Sequence, residues 1–140
     1  MPRPIRVALA VWLSASVFGG LASPVVAEAR EDPIVRTRMT GWESRAGGFH
    51  IYRSGATARL QVGVWPASPR ETVRARLEWR RQGRAWRLLD RSSATLNRDS
   101  RAMFEVRGVP GGYRFRIRVR IGQTQEHRAA RSGWSYFRAG

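Results

Sequence analysis

From Tyr113 to Ile121 the chain reads Tyr-Arg-Phe-Arg-Ile-Arg-Val-Arg-Ile, with apolar and cationic residues in strict alternation. Successive side chains of a β-strand point to opposite faces, so the apolar set shares one face and the four guanidinium groups share the other. A helix would scatter both sets around its circumference. The segment is therefore a half-buried strand, and the fold must supply a second layer against its apolar flank.

The rest of the chain after Glu31-Asp32-Pro33 carries the same period and no helical one. Ile34 to Met39 reads as a first strand. Ala58 to Val64 is apolar at its even positions, and Pro66, Ser68 and Pro69 turn the chain after it. Val73 to Arg80 alternates with its apolar residues odd. Gln82-Gly83 supplies a tight turn, and Ala85 to Asp90 returns as the second arm of a hairpin. Arg91 to Ser100 is polar and reads as a loop. Ala102, Phe104 and Val106 mark another strand, and Trp134 to Arg138 the last. Six or seven short strands separated by turns predict an all-β, two-sheet antiparallel sandwich.

The first 27 residues differ in kind. Arg3 and Arg6 precede an uncharged stretch from Val7 to Ala27, and small residues end it. This is the pattern of a secretory signal peptide, a helix removed on export. The alternative is an uncleaved anchor, since the stretch is long enough to span a bilayer. Gly19, Gly20 and Pro24 weaken that alternative. The expected organisation is a leader over 1–27, a short linker over 28–33 and one sandwich domain over 34–140, secreted and without a stable transmembrane domain after cleavage. The chain has no cysteine, so disulfides cannot staple the domain and burial must hold it.

Three stretches resemble a fibronectin type III domain, within the wider immunoglobulin-like group. Leu77-Glu78-Trp79-Arg80-Arg81-Gln82-Gly83-Arg84-Ala85-Trp86 is similar to that family's central strand, turn and tryptophan-bearing return strand. Val109-Pro110-Gly111-Gly112-Tyr113 is similar to its leucine-x-proline-glycine-x-x-tyrosine signature, and Ser132-Gly133-Trp134-Ser135-Tyr136 to the start of its last strand. The resemblance runs from Val73 to Arg138. It implies structural roles for Trp79, Trp86, Pro110 and Tyr113, with both tryptophans inside the hairpin and the Tyr113 hydroxyl bonded to nearby backbone as a tyrosine corner. The stretch from Gly41 to Gly55 is long for the family's first connection, and Trp65 matches its second-strand tryptophan only loosely. The group hosts adhesion, binding and spacer roles, so the resemblance implies an architecture rather than an activity.

The resembled fold pairs the strand at Val73 to Arg80 with that at Tyr113 to Ile121. Their polar positions then share one outer face: Arg74, Arg76, Arg80, Arg114, Arg116, Arg118 and Arg120, with Glu78 as the acid among them. The chain carries +16 overall, with 26 basic residues, all arginine. Guanidinium suits bidentate contact with phosphate, sulfate or carboxylate. The face is thus a candidate polyanion-binding surface, sequence-indifferent towards nucleic acid; the alternative is a solvated face made cationic by base-composition bias.

The expected function is a non-enzymatic binding or structural module for an anionic cell-surface polymer or another protein. A membrane-active cationic protein and a secreted domain without a specific ligand are the alternatives. No catalytic constellation, cofactor motif or metal-ligand spacing stands out. His50 and His127 are the only histidines, and no Gly-x-Ser-x-Gly turn occurs. Trp42 and Trp65 flank loops, where they cap the sandwich ends or stack on a sugar or base.

Overall fold

The Tyr113 alternation becomes β9 (Arg114–Ile121), whose Phe115, Ile117, Val119 and Ile121 are all buried. A computed structural model describes residues 9–11 and 32–140. Beside β9 lies β6 (Thr72–Arg80), antiparallel, with Val73 opposite Ile121 and Leu77 opposite Ile117. That register sends Val73, Ala75 and Leu77 to the same side as the β9 apolar set. Full burial of a side chain such as Leu77 or Phe115 contributes about 1.5–3 kcal/mol each.

The described residues are all β and hold no helix. One sheet runs β1-β8-β5-β2, from β1 (Leu9–Val11), β8 (Arg101–Val106), β5 (Ala58–Trp65) and β2 (Ile34–Thr40). The other runs β3-β4-β11-β9-β6-β7, from β3 (Ser44–Ala46), β4 (Phe49–Tyr52), β11 (Ser135–Ala139), β9, β6 and β7 (Arg87–Thr95), with β10 (Ala130–Arg131) added on β9. The inner faces meet over one core, to which Leu60, Val62 and Phe104 contribute from the first sheet and Leu77, Phe115, Ile117 and Phe137 from the second. The architecture is a two-sheet sandwich compatible with an immunoglobulin- or fibronectin-like domain.

Four differences from the sequence reading have physical causes. The second sheet is mixed, because β4 pairs parallel to β11, with Phe137 opposite His50. The β3–β4 hairpin fills the stretch that looked like a long connection. Its Ile51 and Tyr52 are adjacent and both buried, so no alternation announces it. The polar run at Arg91 is not all loop: β7 extends to Thr95, pairing with β6 on one side only. In β7 only Ala94 is fully buried, so an edge strand of this kind can be polar nearly throughout. A bulge between Leu77 and Glu78 skips Leu89, which packs on the core. Of the expected leader helix, only Leu9–Val11 falls among the described residues. Those three residues are extended and pair with Phe104–Val106.

The tyrosine corner is also differently made. The Tyr113 hydroxyl accepts from Arg81 Nη2 at 3.0 Å on the exposed side, and its ring packs 4.8 Å from Trp79. The tyrosine that donates to backbone is Tyr52, fully buried, with its hydroxyl 2.7 Å from the Thr40 carbonyl. Burial outweighs the opposing hydrogen bond from Arg59 backbone and the Arg59 charge, and pushes the phenol's pKa up to about 12. The Pro110 loop is anchored by its neighbour Val109, buried and bonded to both Ala56 and Gly55 backbone.

One part-buried polar pair ties the connection before β6 to the connection after β9. His127 Nε2 lies 2.6 Å from Glu71 Oε2 and its Nδ1 2.8 Å from the Arg128 carbonyl. Both partners are acceptors, and only the imidazolium donates at both nitrogens. Burial opposes that charge, but the Arg128 carbonyl, Glu71 and Glu126 outweigh it and raise the pKa above 6.5. A raised folded-state pKa stabilises fully below the unfolded value and is lost as pH rises through the folded one. The urea midpoint of the native protein is therefore expected to fall as pH rises from about 6.5 through the raised folded-state value. The same fall persisting undiminished in His127→Gln would show that this pair is not its source.

Candidate functional site

Seven arginines were expected on the outer face of β6 and β9, and the register places them there. Arg74 lies opposite Arg120, Arg76 opposite Arg118, Glu78 opposite Arg116 and Arg80 opposite Arg114. Neighbouring strands stand about 4.8 Å apart, so like charges face each other across the ladder at three of these four pairs. The face divides into two regions that treat this repulsion differently.

At the β11 end the cations are interleaved with tryptophan. Arg80 stands 4.4 Å from the Trp86 ring, and Arg116 4.6 Å from the same ring. Arg116 also stands 4.1 Å from the Trp134 ring, whose neighbour at 4.4 Å is Arg118. The result is a ladder in the order Arg80, Trp86, Arg116, Trp134, Arg118. The negative face of each indole attracts guanidinium, by about 0.5–1 kcal/mol when exposed and about 2 when desolvated. Trp86 precedes β7 and Trp134 precedes β11, so both rings fold over the sheet from its flanks. Trp86 is therefore not inside the hairpin. A wide turn carries it to the outer face, while Trp79, in the inward row of β6, packs against the core.

Glu78 is the hub of this ladder. Its carboxylate accepts from Arg76 Nε at 2.7 Å and from Arg116 Nε at 2.8 Å, with Arg116 Nη2 at 2.6 Å. Burial alone would raise the Glu78 pKa, but the two guanidinium partners overcome it and hold the carboxyl below its usual range. Arg116 thus has indole on both faces and carboxylate at its edge. It is part of the packing rather than a free cation.

At the other end Arg76 alone is paired with an acid, Glu78. Arg74, Arg76, Arg91, Arg118 and Arg120 line a cavity of about 260 Å³. Arg91 sits opposite Arg76 from β7, and Arg131 opposite Arg120 from β10, so both extend the cationic rows by one strand. Neither was singled out in the sequence: Arg91 lay in a polar run and Arg131 outside every expected strand. Burial, then the charges of Arg131 and Arg76, lowers the Arg118 pKa. Arg74 and Arg120 have no ion-pair partner among the described residues. Arg114 departs from both regions, standing 5.3 Å from the Phe49 ring. Chemically, the open end offers convergent donors without a nucleophile or base, which suits a multiply charged oxyanion.

No protein-family model matches the sequence, and no curated protein matches it.

The two regions predict opposite mutational responses. Glu78→Leu leaves Arg116 enclosed without its counter-charge and is expected to destabilise by about 3 kcal/mol. Arg74→Gln or Arg120→Gln removes a cross-strand repulsion and is expected to raise stability by about 0.3 kcal/mol. Chemical denaturation measures both. Equal losses in all three variants would erase the division.

Proposed function

We propose that this chain is an exported, fibronectin type III-like module, without enzymatic activity, that binds anionic polymers through the outer face of β6 and β9. The contact is made at the open end, by Arg74, Arg76, Arg91, Arg118 and Arg120. The observation that carries this reading is the asymmetry of the face. Its one acid is engaged by Arg76 and Arg116, so Arg74, Arg91, Arg118 and Arg120 converge there without an ion-pair partner among the described residues. A polyanion entering that region removes the mutual repulsion of the arginines and gains bidentate contacts. Anionic cell-surface polymers are the partners reached by an exported protein. Short-range guanidinium contacts to repeating charges discriminate poorly between sequences.

Counterion release gives the reading a quantitative test. With single-stranded oligonucleotide as a calibrated polyanion, about four phosphate contacts give a slope of log affinity against log salt near −3. Arg74→Gln and Arg120→Gln are each expected to reduce the magnitude of that slope by about 0.7, whatever the oligonucleotide sequence. Affinity that holds constant from about 50 to 500 mM salt would exclude the mechanism.

The proposed address has its own measurement. The exported protein is expected to begin just after Ala27, as read by mass spectrometry of its N-terminus. Retention of Met1 to Arg6 in the exported protein would favour an anchor.

A further inference from the structure

The outer face of the opposite sheet carries a different arrangement. Arg36 of β2 and Arg101 of β8 both pair in register with Gly63 of β5, which lies between them. One row further along, Ile34 pairs with Trp65. Both are exposed, Ile34 at 46% and Trp65 at 67%. With Asp99 from the β7–β8 loop, these residues line a cavity of about 440 Å³.

Gly63 is the informative residue. It sits mid-strand in a paired register, outside the left-handed backbone region, so no turn requires it. A Cβ built there meets nothing within 4 Å, so no close approach by the chain itself requires it either. A glycine in such a place weakens a strand and leaves a bare stretch of backbone open to a ligand. Its two flanking strands are about 10 Å apart, twice the strand spacing. That leaves a flat floor one sugar ring wide between two guanidinium groups. Neither Arg36 nor Arg101 has an ion-pair partner among the described residues.

The loop that supplies Asp99 and leads into Arg101 is held in place. Ser100 adopts φ 57, its carbonyl accepts from Val64 N at 3.1 Å, and its Oγ accepts from Ser68 N at 2.7 Å. Asn97 Oδ1 accepts from the backbone N–H groups of both Asp99 and Arg101. The walls of the cavity are thus preset by backbone contacts.

We propose that this is a binding site for an acidic pyranose residue of a polysaccharide. The apolar face of the ring stacks on Trp65, with Ile34 extending the platform. Arg36 and Arg101 take the carboxylate or sulfate from either side of Gly63, and Asp99 accepts from ring hydroxyls. Asp99 also separates this ligand from nucleic acid. A carboxylate repels a dense run of phosphates but is a good acceptor for hydroxyls. A single indole, rather than a row of aromatics, fits one ring rather than successive stacked bases. The site shares no residue with the β6–β9 face and does not depend on it.

The test uses a tetragalacturonate, a heparin-derived tetrasaccharide, a neutral tetrasaccharide and a single-stranded oligonucleotide as probes, with tryptophan fluorescence and calorimetry as readouts. An acidic tetrasaccharide is expected to bind the native protein, and the first two probes separate carboxylate from sulfate. Gly63→Val fits the space above the strand and should keep or raise the unfolding midpoint. It is expected to weaken acidic-saccharide binding at least tenfold. Trp65→Ala, a substitution of an exposed side chain, should do the same. Arg36→Gln with Arg101→Gln should remove the preference for acidic over neutral sugar. Arg74→Gln with Arg120→Gln should leave saccharide affinity at this site within about twofold, even where the oligonucleotide salt slope falls. The inference is overturned if folded Gly63→Val and Trp65→Ala bind the saccharides as the native protein does. It is equally overturned if neither acidic saccharide binds, or if Trp65→Ala weakens the oligonucleotide and not the sugars.

Discussion

Pairing β6 with β9 buries a continuous apolar flank, and the same register forces arginine against arginine on the other side. The two consequences cannot be separated, because side chains alternate with a period of two. A slip of β6 by one residue would carry Leu77 into water and the strand's guanidinium groups into the core. The burial gain fixes the register, and the charge crowding then has to be accommodated where it falls. The ladder does this at one end. Indole faces separate Arg80, Arg116 and Arg118, and Glu78 neutralises the middle of the stack. At the other end Arg74 and Arg120 are exposed, where solvent and salt screen their repulsion.

This arrangement bears on composition bias as an explanation for arginine. Bias accounts for arginine wherever any cation is tolerated, and Arg74 or Arg120 fits that description. It does not account for Trp86 and Trp134 arriving from the turns before two separate strands to flank Arg116. Nor does it account for the one buried carboxylate on that face lying within hydrogen-bond reach of the flanked group. Stability therefore constrains the ladder, whereas the open end is free to vary without unfolding the domain. Whatever the open end does is separable from what holds the sheet together.

The sequence was most legible where burial alternates. The segments at Ile34, Ala58, Val73, Ala102, Tyr113 and Trp134 all became strands near their expected bounds, and β6 lies beside β9 as the fibronectin resemblance implied. It was least legible where a strand lies at an edge or buries neighbours in succession. β7 keeps Arg91, Ser92 and Ser93 in a ladder because backbone bonds on one side suffice. β4 buries both Ile51 and Tyr52, so its short run carries no period. The β6–β9 register sets the seven arginines in facing rows, yet the sequence offered no sign that Trp86 and Trp134 lie among them. Both sit just outside strands, where the direction of a side chain depends on how the turn closes and not on phase. Arg91 and Arg131 joined the face for the same reason: their register partners, Arg76 and Arg120, are identifiable only once strand neighbours are known.

The two outer faces also differ in what glycine and aromatic residues contribute. On the β6–β9 face, tryptophan is spent on arginines of the chain itself, so those rings have cations on them already. On the opposite sheet Trp65 is exposed, beside Arg36 and Arg101 that no acid engages among the described residues, across a strand-centre glycine. The same three ingredients, indole, guanidinium and carboxylate, are therefore closed on one sheet and open on the other. A closed set stabilises the fold through its own complementarity. An open set leaves each group's complement to be supplied from solution, and the flat floor at Gly63 limits that complement to something thin, with one apolar face and a negative edge.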